Sequence, residues 1–318
     1  MKATSRVVRK VIRLQREERI IPEGSSVLVA FSGGVDSVVL VEVLLELKGF
    51  FRLKRIALAH FNHMIRKEAE RDEEFCRTFA EARGLEIFTG RENVKEFARK
   101  EGKSLEEAGR DLRYRFLREV KKREGFDLIA TAHHLTDMVE TAILWMVRGS
   151  GVEGILGFEP REGDVVRPLY RVSKEEILEF AKAKGLSWVE DRTNYDMRFF
   201  RNRIRHRVIP VLKTANRNLE ETFLRMREIL KREDELLKRL SRKVLEEARE
   251  GDECLKVSRL RSEDVALQRR VIRDWAGVRN LSKVEQVRSL LRRGGEVNLG
   301  GGLLVRRRGP LLCLKKST

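Results

Sequence analysis

Residues 26–47 read SVLVAFSGGVDSVVLVEVLLEL, and the fold turns on how they are parsed. Ser26 to Phe31 is an apolar run with no polar face, which predicts a strand buried on both sides. From Asp36 to Leu47 the spacing predicts a helix. Between them, Ser32-Gly33-Gly34-Val35-Asp36-Ser37 has to carry the chain from strand to helix. Two glycines permit a tight turn that presents several N–H groups to an anion, and the helix N-terminus adds the positive end of its dipole. The loop is neither GxxxxGK(S/T), which occurs nowhere in the chain, nor GxGxxG. A bare Gly-Gly also suits an ordinary strand-to-helix turn. The serine before it and the Asp-Ser after it favour an anion cradle.

Outward from this loop the first two thirds of the chain alternate short apolar runs with helical patterns, as a parallel α/β sheet requires. Further strands are predicted at Ile56–Phe61, Leu85–Phe88 and Leu128–Ala132, and helices near residues 68–83, 104–123 and 136–147. Ser104 with Glu107 and Ser173 with Glu176 have capping-box spacing, and Gly185 suits the end of the second of these helices. Beyond Pro210 the texture changes to long charged helical patterns over Leu219–Glu250 and Ala266–Gly277, with weak strand alternation in Gly301–Leu314. A domain boundary is expected near residues 212–218, giving domains 1–215 and 216–318.

The 318 residues carry a net charge of +18, unevenly spread. Residues 1–19 hold seven basic and two acidic side chains, residues 192–217 eight and one, and residues 216–318 twenty-six and sixteen, while the central body is slightly acidic. Clustered Arg and Lys attract phosphate backbones, so a nucleic-acid partner is the expectation; solvated basic helix faces are the plainer alternative. Residues 198–207, RFFRNRIRHR, contain five arginines and no acid, interleaved with Phe199, Phe200 and His206, which suits stacking on unpaired bases. No apolar run is long enough to span a bilayer and no signal peptide is evident, so a soluble cytoplasmic protein is expected. Cys76, Cys254 and Cys313 form no CxxC pair, and buried inert thiols are expected of them.

Three more segments bear on chemistry. His60-Phe61-Asn62-His63, with Arg66, falls at the carboxyl end of the second strand, where open α/β sheets bind ligands. His133-His134, Asp137, Glu140 and Thr141 follow the fourth strand, and Asp137, Glu140 and Thr141 stand at i, i+3 and i+4 on one helix face. Glu107-Ala108-Gly109-Arg110 with Arg113-Tyr114 repeats the helical spacing. The four histidines lack the spacing of a structural zinc site.

With the SGGVDS loop these segments resemble the PP-loop, or N-type ATP pyrophosphatase, family, and within it the lysidine synthetase branch, whose motifs are HxNHxLR, EAxAR followed by RY, HHxxDQxET and RGSG. The likeness runs through Arg148-Gly149-Ser150-Gly151 and Asp191-Arg192-Thr193-Asn194 to Arg201-Asn202-Arg203-Ile204-Arg205. The chain departs from the pattern at Ile65, Gly109, Thr136 and Met138, which leaves Asp137 as the one carboxylate where a pair is expected. The resemblance implies a Rossmann-like α/β PP-loop ATPase domain, of the adenine nucleotide alpha-hydrolase-like class, followed by a smaller, mainly helical basic domain that binds tRNA.

For chemistry it implies ATP and Mg2+, with Ser32, Gly33, Gly34, Val35, Asp36 and Ser37 on the nucleotide together with His60, Asn62 and His63. Asp36 is the implied magnesium ligand and Asp137 a second candidate. Catalytic roles fall to Asp36, Arg113, His133, Asp137 and Glu140, and tRNA contacts to Arg201, Arg203, Arg205 and Arg207. The implied reaction ligates L-lysine to C2 of the wobble cytidine in the CAU anticodon of tRNA(Ile), through an adenylated cytidine, releasing AMP and pyrophosphate. A tRNA thiolase and a catalytically dead RNA-binding protein are the alternatives, and a homodimer stays open.

Overall fold

The computed structural model describes residues 2–64, 69–190 and 195–316; Ile65, Arg66 and the Asp191–Asn194 motif lie outside the described residues. The chain divides into two compact units, residues 1–225 and 226–318. In the first unit, β1 (Ser26–Ala30), β2 (Arg55–Asn62), β3 (Glu86–Arg91), β4 (Leu128–Ala130), β5 (Arg161–Glu162) and β6 (Val165–Val166) form one sheet in the order β3-β2-β1-β4-β6-β5. Its pairings are parallel except for β5 against β6.

Burial on both faces explains the unbroken apolar run of β1. Val27 and Val29 join the core built with helices Lys2–Glu18, Val35–Glu46, Leu135–Val147 and Lys174–Ala183. Leu28 faces the other way, with Ala57, Ile129 and the Leu117 and Val120 of helix Leu105–Glu124. Each Val, Leu or Ile side chain so taken out of water contributes about 1.5–3 kcal/mol.

The strand order positions the site. From β1 the chain winds outward through β2 and β3, then returns to lay β4 on the opposite side of β1. The connections leaving the carboxyl ends of β1 and β4 therefore part from each other, and the crevice between them is where a sheet of this kind takes its ligand. Phe31–Gly34 and Thr131–His134 leave the sheet at that point.

In the second unit the helix expected over Ala266–Gly277 forms as Val265–Ala276, and Val257–Arg261 and Leu281–Ser289 are further helices that the sequence pattern did not mark. Joining them, among the described residues, is an antiparallel sheet ordered β7-β8-β11-β10-β9 from β7 (Arg249–Glu250), β8 (Cys254–Lys256), β9 (Glu296–Gly300), β10 (Leu303–Arg308) and β11 (Leu311–Lys316). Its core gathers Leu255, Val271, Ile272, Val287, Val305 and Leu312.

The cysteine expectation needs correcting here. Cys254 and Cys313 face each other across β8 and β11 with Cα atoms 4.1 Å apart and form a disulfide. Sheet register brings together two thiols 59 residues apart, which spacing along the chain cannot reveal. Cys76 alone is the buried free thiol.

Close packing at one glycine sets the distance between the sheet and the helix over it. A Cβ on Gly90 of β3 would lie 2.6 Å from the ring of Phe116 on helix Leu105–Glu124, and that ring also packs against Phe61 of β2 at 5.6 Å. Gly90→Ala is therefore expected to lower stability by about 1–3 kcal/mol, the usual cost of overpacking. In a Phe116→Leu background most of that loss should vanish. Denaturant unfolding of the double-mutant cycle measures this, and equal losses in both backgrounds would refute the contact.

Candidate active site

The Ser32–Ser37 loop is fixed by its backbone conformation and by local hydrogen bonds. Gly33 turns the chain with φ +79°, and a Cβ there would meet Cys76 Sγ at 3.1 Å and Phe75 at 3.2 Å, so both backbone conformation and space require glycine. The two serines brace the loop. Gly34 N donates to Ser32 Oγ (3.3 Å), Ser32 N donates to Ser37 Oγ (3.3 Å), and Ser37 Oγ donates to Gly34 O (2.9 Å). Val189 N ties the loop from outside by donating to Gly33 O at 2.9 Å. Asp36 stands in the first turn of helix Val35–Glu46, one third exposed, with Oδ1 2.6 Å from Lys174 Nζ and 3.6 Å from His134 Nε2.

Across the crevice, His134 and Asp137 form a reciprocal cap on helix Leu135–Val147, His134 N donating to Asp137 Oδ2 at 3.1 Å and Asp137 N to His134 Nδ1 at 3.4 Å. The same imidazole's Nε2 lies 3.5 Å from Asp137 Oδ2, so Asp36 and Asp137 flank one ring. One turn on, Glu140 is fully buried between two guanidiniums: it accepts from Arg201 Nε (2.9 Å), from Arg205 Nε (2.6 Å) and from an Arg205 Nη (2.9 Å). Arg201 and Arg205 also reach Asp137 Oδ1, at 3.3 and 3.4 Å. Burial alone would raise the Asp137 carboxyl, but His134, Arg201, His133 and Arg205 outweigh it and hold it well below the usual range.

A PP-loop domain family matches residues 3–212, and a TilS-like substrate binding domain matches residues 248–314. The tRNA(Ile)-lysidine synthase of Persephonella marina is 40% identical over 85% of this chain and 59% of its own length. That of Petrotoga mobilis is 34% identical over 70% of this chain and 71% of its own. The chain belongs to the tRNA(Ile)-lysidine synthase family of PP-loop proteins. It spans a little under three fifths of the length of several of the relatives it matches. Among solved structures, the U34-tRNA thiolase NcsA of Methanococcus maripaludis, with its [4Fe-4S] cluster, shares the fold at a TM-score of 0.58 and 18% identity, over 72% of this chain and 79% of that one.

Within this lysidine synthase framework the expected residues fall into three groups. Ser32 to Ser37, His133, Asp137 and Glu140 come together where β1 and β4 part. Partly buried His133 bonds through Nδ1 with Thr131 Oγ1 at 2.9 Å, and burial followed by the nearby positive charge of Arg167, Arg113 and Arg201 takes it down to about 3 against the pull of Asp137. Burial likewise pushes the Arg113 guanidinium down from its ordinary value.

His60 and Asn62 are side chains of the protein interior. His60 Nδ1 sits 3.0 Å from Phe31 O and 3.3 Å from Cys76 Sγ, while Asn62 bonds Glu73 and Met64 N. They brace β1 and β2 beneath the loop. His63 packs edge-on to Phe61, at 5.0 Å.

The arginines divide. Arg201 and Arg205, expected on RNA, are committed to Asp137 and Glu140 and half-buried, which corrects that expectation for the chain as it stands; Arg203 and Arg207 are exposed. Arg203 lies over the Phe200 ring at 5.0 Å, and His206 stacks on Tyr195 at 5.3 Å. Behind them Pro210 lacks the N–H that would bond the carbonyl four residues earlier, and the helical backbone widens through a π turn over Ile204–Val208.

Two departures from the motif acquire reasons. Thr136 Oγ1 accepts from Lys174 N and donates to Glu220, and Met138 is buried in the core, so neither position aims a side chain at the site. Lys174 was missed in the sequence. A signal existed: a lysine at the first position of a helix opposes the dipole and calls for an anionic partner.

His133 gives a pH dependence of stability. Its folded value lies near 3 against an ordinary 6.5, so between those pH values the unfolded chain binds the extra proton. Stability contributed above pH 6.5 is therefore expected to fall as pH drops through that window. Proton uptake measured from unfolding at several pH values should shrink by about one in His133→Asn, and an unchanged pH slope would rule this out.

Proposed function

We propose that this chain is an ATP-dependent ligase that joins L-lysine to C2 of the wobble cytidine in the CAU anticodon of tRNA(Ile). The observation that carries the reading is the pairing of a braced anion cradle with a carboxylate–arginine group on either side of one imidazole, His134, in a chain of this family. One half suits phosphates and the other an amine.

In the proposed reaction the cytidine O2 attacks the α-phosphate of ATP and pyrophosphate leaves; the lysine ε-amine then attacks C2, AMP leaves, and the amine gives up its proton. The N–H groups of Gly33 to Ser37 and the helix N-terminus receive phosphate charge, placed before the reaction begins. Magnesium fits Asp36, a partly exposed carboxylate, because such an ion usually takes one or two carboxylates and completes its shell with phosphate oxygens and water. No cluster of three metal-ligating side chains is formed among the described residues, so phosphate oxygens would be part of the site. When bound, the ion offsets charge on the departing pyrophosphate.

Asp137, kept ionised, is placed for the lysine ammonium, and Glu140 through Arg201 and Arg205 holds it there. His133, neutral at physiological pH, can hydrogen-bond the activated base without adding charge. A thiolase-type reaction finds no support in the cysteines: Cys76 is buried and pushed up to about 12, and Cys254 and Cys313 are bonded to each other.

Labelled lysine should enter CAU-anticodon tRNA(Ile) with one AMP and one pyrophosphate released per lysine, and Asp36→Ala should lose this by at least about a hundredfold while remaining folded. Sulfur incorporation in place of lysine, or RNA binding without ATP turnover, would reject the reading.

Arg203 and Arg207 are proposed to hold RNA phosphates, with Tyr195, Phe199 and His206 offering faces for unpaired bases. Their joint change to alanine should weaken tRNA binding and lower the log–log salt slope by about one unit per lost contact. ATP affinity should hardly move. An unchanged slope would shift RNA binding to residues 216–318.

A further inference from the structure

We propose that Lys174 is a further phosphate-binding residue of this site, held on Asp36 until nucleotide arrives and then exchanging that carboxylate for the phosphate chain. This rests on the nucleotide reading of the cradle.

Lys174 opens helix Lys174–Ala183, where the dipole disfavours a cation. Its backbone is fixed from two sides. The Ser173–Glu176 capping box sets the helix start, and Lys174 N donates to Thr136 Oγ1 at 3.0 Å. From that anchor the side chain crosses to Asp36 Oδ1 at 2.6 Å, in the first turn of the helix that follows the cradle. An ion pair with both members one third exposed contributes little to folding. The placement is thus poorly explained by stability.

Charge supply points the same way. The loop Ser32–Ser37 contains no Lys or Arg, and the nearby Arg201 and Arg205 are spent on Asp137 and Glu140. A triphosphate entering the cradle brings several negative charges, and Lys174 is the cation beside it whose partner can be taken away. A magnesium ion on the Asp36 carboxylate would repel the ammonium and draw charge from the oxygen it pairs with, so the two cations compete for Asp36. Binding of metal and nucleotide would therefore free Nζ as phosphate oxygens arrive. A lysine suits the exchange, with a flexible four-carbon stem and three rotatable donors. Until then the pair keeps the Asp36 side chain turned toward the crevice.

Calorimetric titration of the whole chain with ATP, inorganic pyrophosphate and AMP, each with magnesium, tests this in wild type, Lys174→Met and Lys174→Arg. Lys174→Met is expected to weaken ATP and pyrophosphate about tenfold or more, the worth of one charge-assisted hydrogen bond, and to leave AMP unchanged. Lys174→Arg should restore most of the loss. Lys174→Gln, which keeps a polar side chain without the charge, decides the matter if circular dichroism shows the methionine variant unfolded. ATP and pyrophosphate binding equal to or tighter than wild type would mean that Lys174 only locks Asp36, and equal weakening of AMP would mean a general distortion; either overturns the proposal. Wild type that binds neither ATP nor pyrophosphate would instead bring down the nucleotide reading of the cradle, and this proposal with it.

Discussion

A carboxylate with no exposure to water, Glu140, is the constraint around which this site is organised. An ion buried without partners costs several kcal/mol, and its attraction to opposite charge offsets that only when geometry is good and the lone pairs are filled. Here Arg205 meets both carboxylate oxygens and Arg201 meets one. Residues four apart share a helix face, so Arg201 and Arg205 turn inward together and Arg203 and Arg207 turn out. The segment that brings positive charge to the surface is thus docked by the arginines it does not display. Asp137 is held by the same two guanidiniums, so the orientation of the reactive end and the placement of the basic surface follow from one buried contact.

What could be read from the sequence was what the chain settles locally. The strand, the Gly33 turn and the following helix are adjacent in sequence, and their meaning survives without knowing the rest of the fold. Capping boxes are equally local, and Ser173 with Glu176 forms as its spacing says. The Glu140 network is different in kind, joining residues 61 and 65 positions apart. From the sequence, Arg201 and Arg205 look like Arg203 and Arg207. Only docking of residues 200–208 on helix Leu135–Val147 sorts them. The disulfide escaped for the same reason, since its two strands meet only once the sheet is assembled. The short strands β7 and β8, of two and three residues, offer too few positions for alternation to be visible.

Charge counting is similarly blind to pairing. Segment totals predict a basic first helix free for phosphates, yet Arg6 and Lys10 bond the buried Glu176, Lys10 also meets Glu221, and Arg13 meets Glu17. Arg6 and Lys10 thereby anchor helices to each other, and Arg13 is paired within its own helix. A net excess of positive charge survives the pairing, because counterions inside the fold do not alter the sum. It is therefore the sum that bears on long-range attraction to a polyanion, while short-range contacts require the side chains left over.

His134 shows why the two ends of the site work as one. Because Nδ1 accepts from the Asp137 backbone N–H, the ring's remaining proton belongs on Nε2, the atom that faces both Asp36 and Asp137. An N–H on that atom is a donor set between two acceptors, and it bridges carboxylates that would otherwise repel across a narrow gap. Asp36 belongs to the helix after β1 and Asp137 to the helix after β4, so the ring also spans the place where the strand order reverses. In the proposed reaction these carboxylates serve successive steps, one at the phosphates and one at the amine. Their spacing is fixed by a side chain that is itself a helix cap, so it is set by folding and need not be assembled by the substrates.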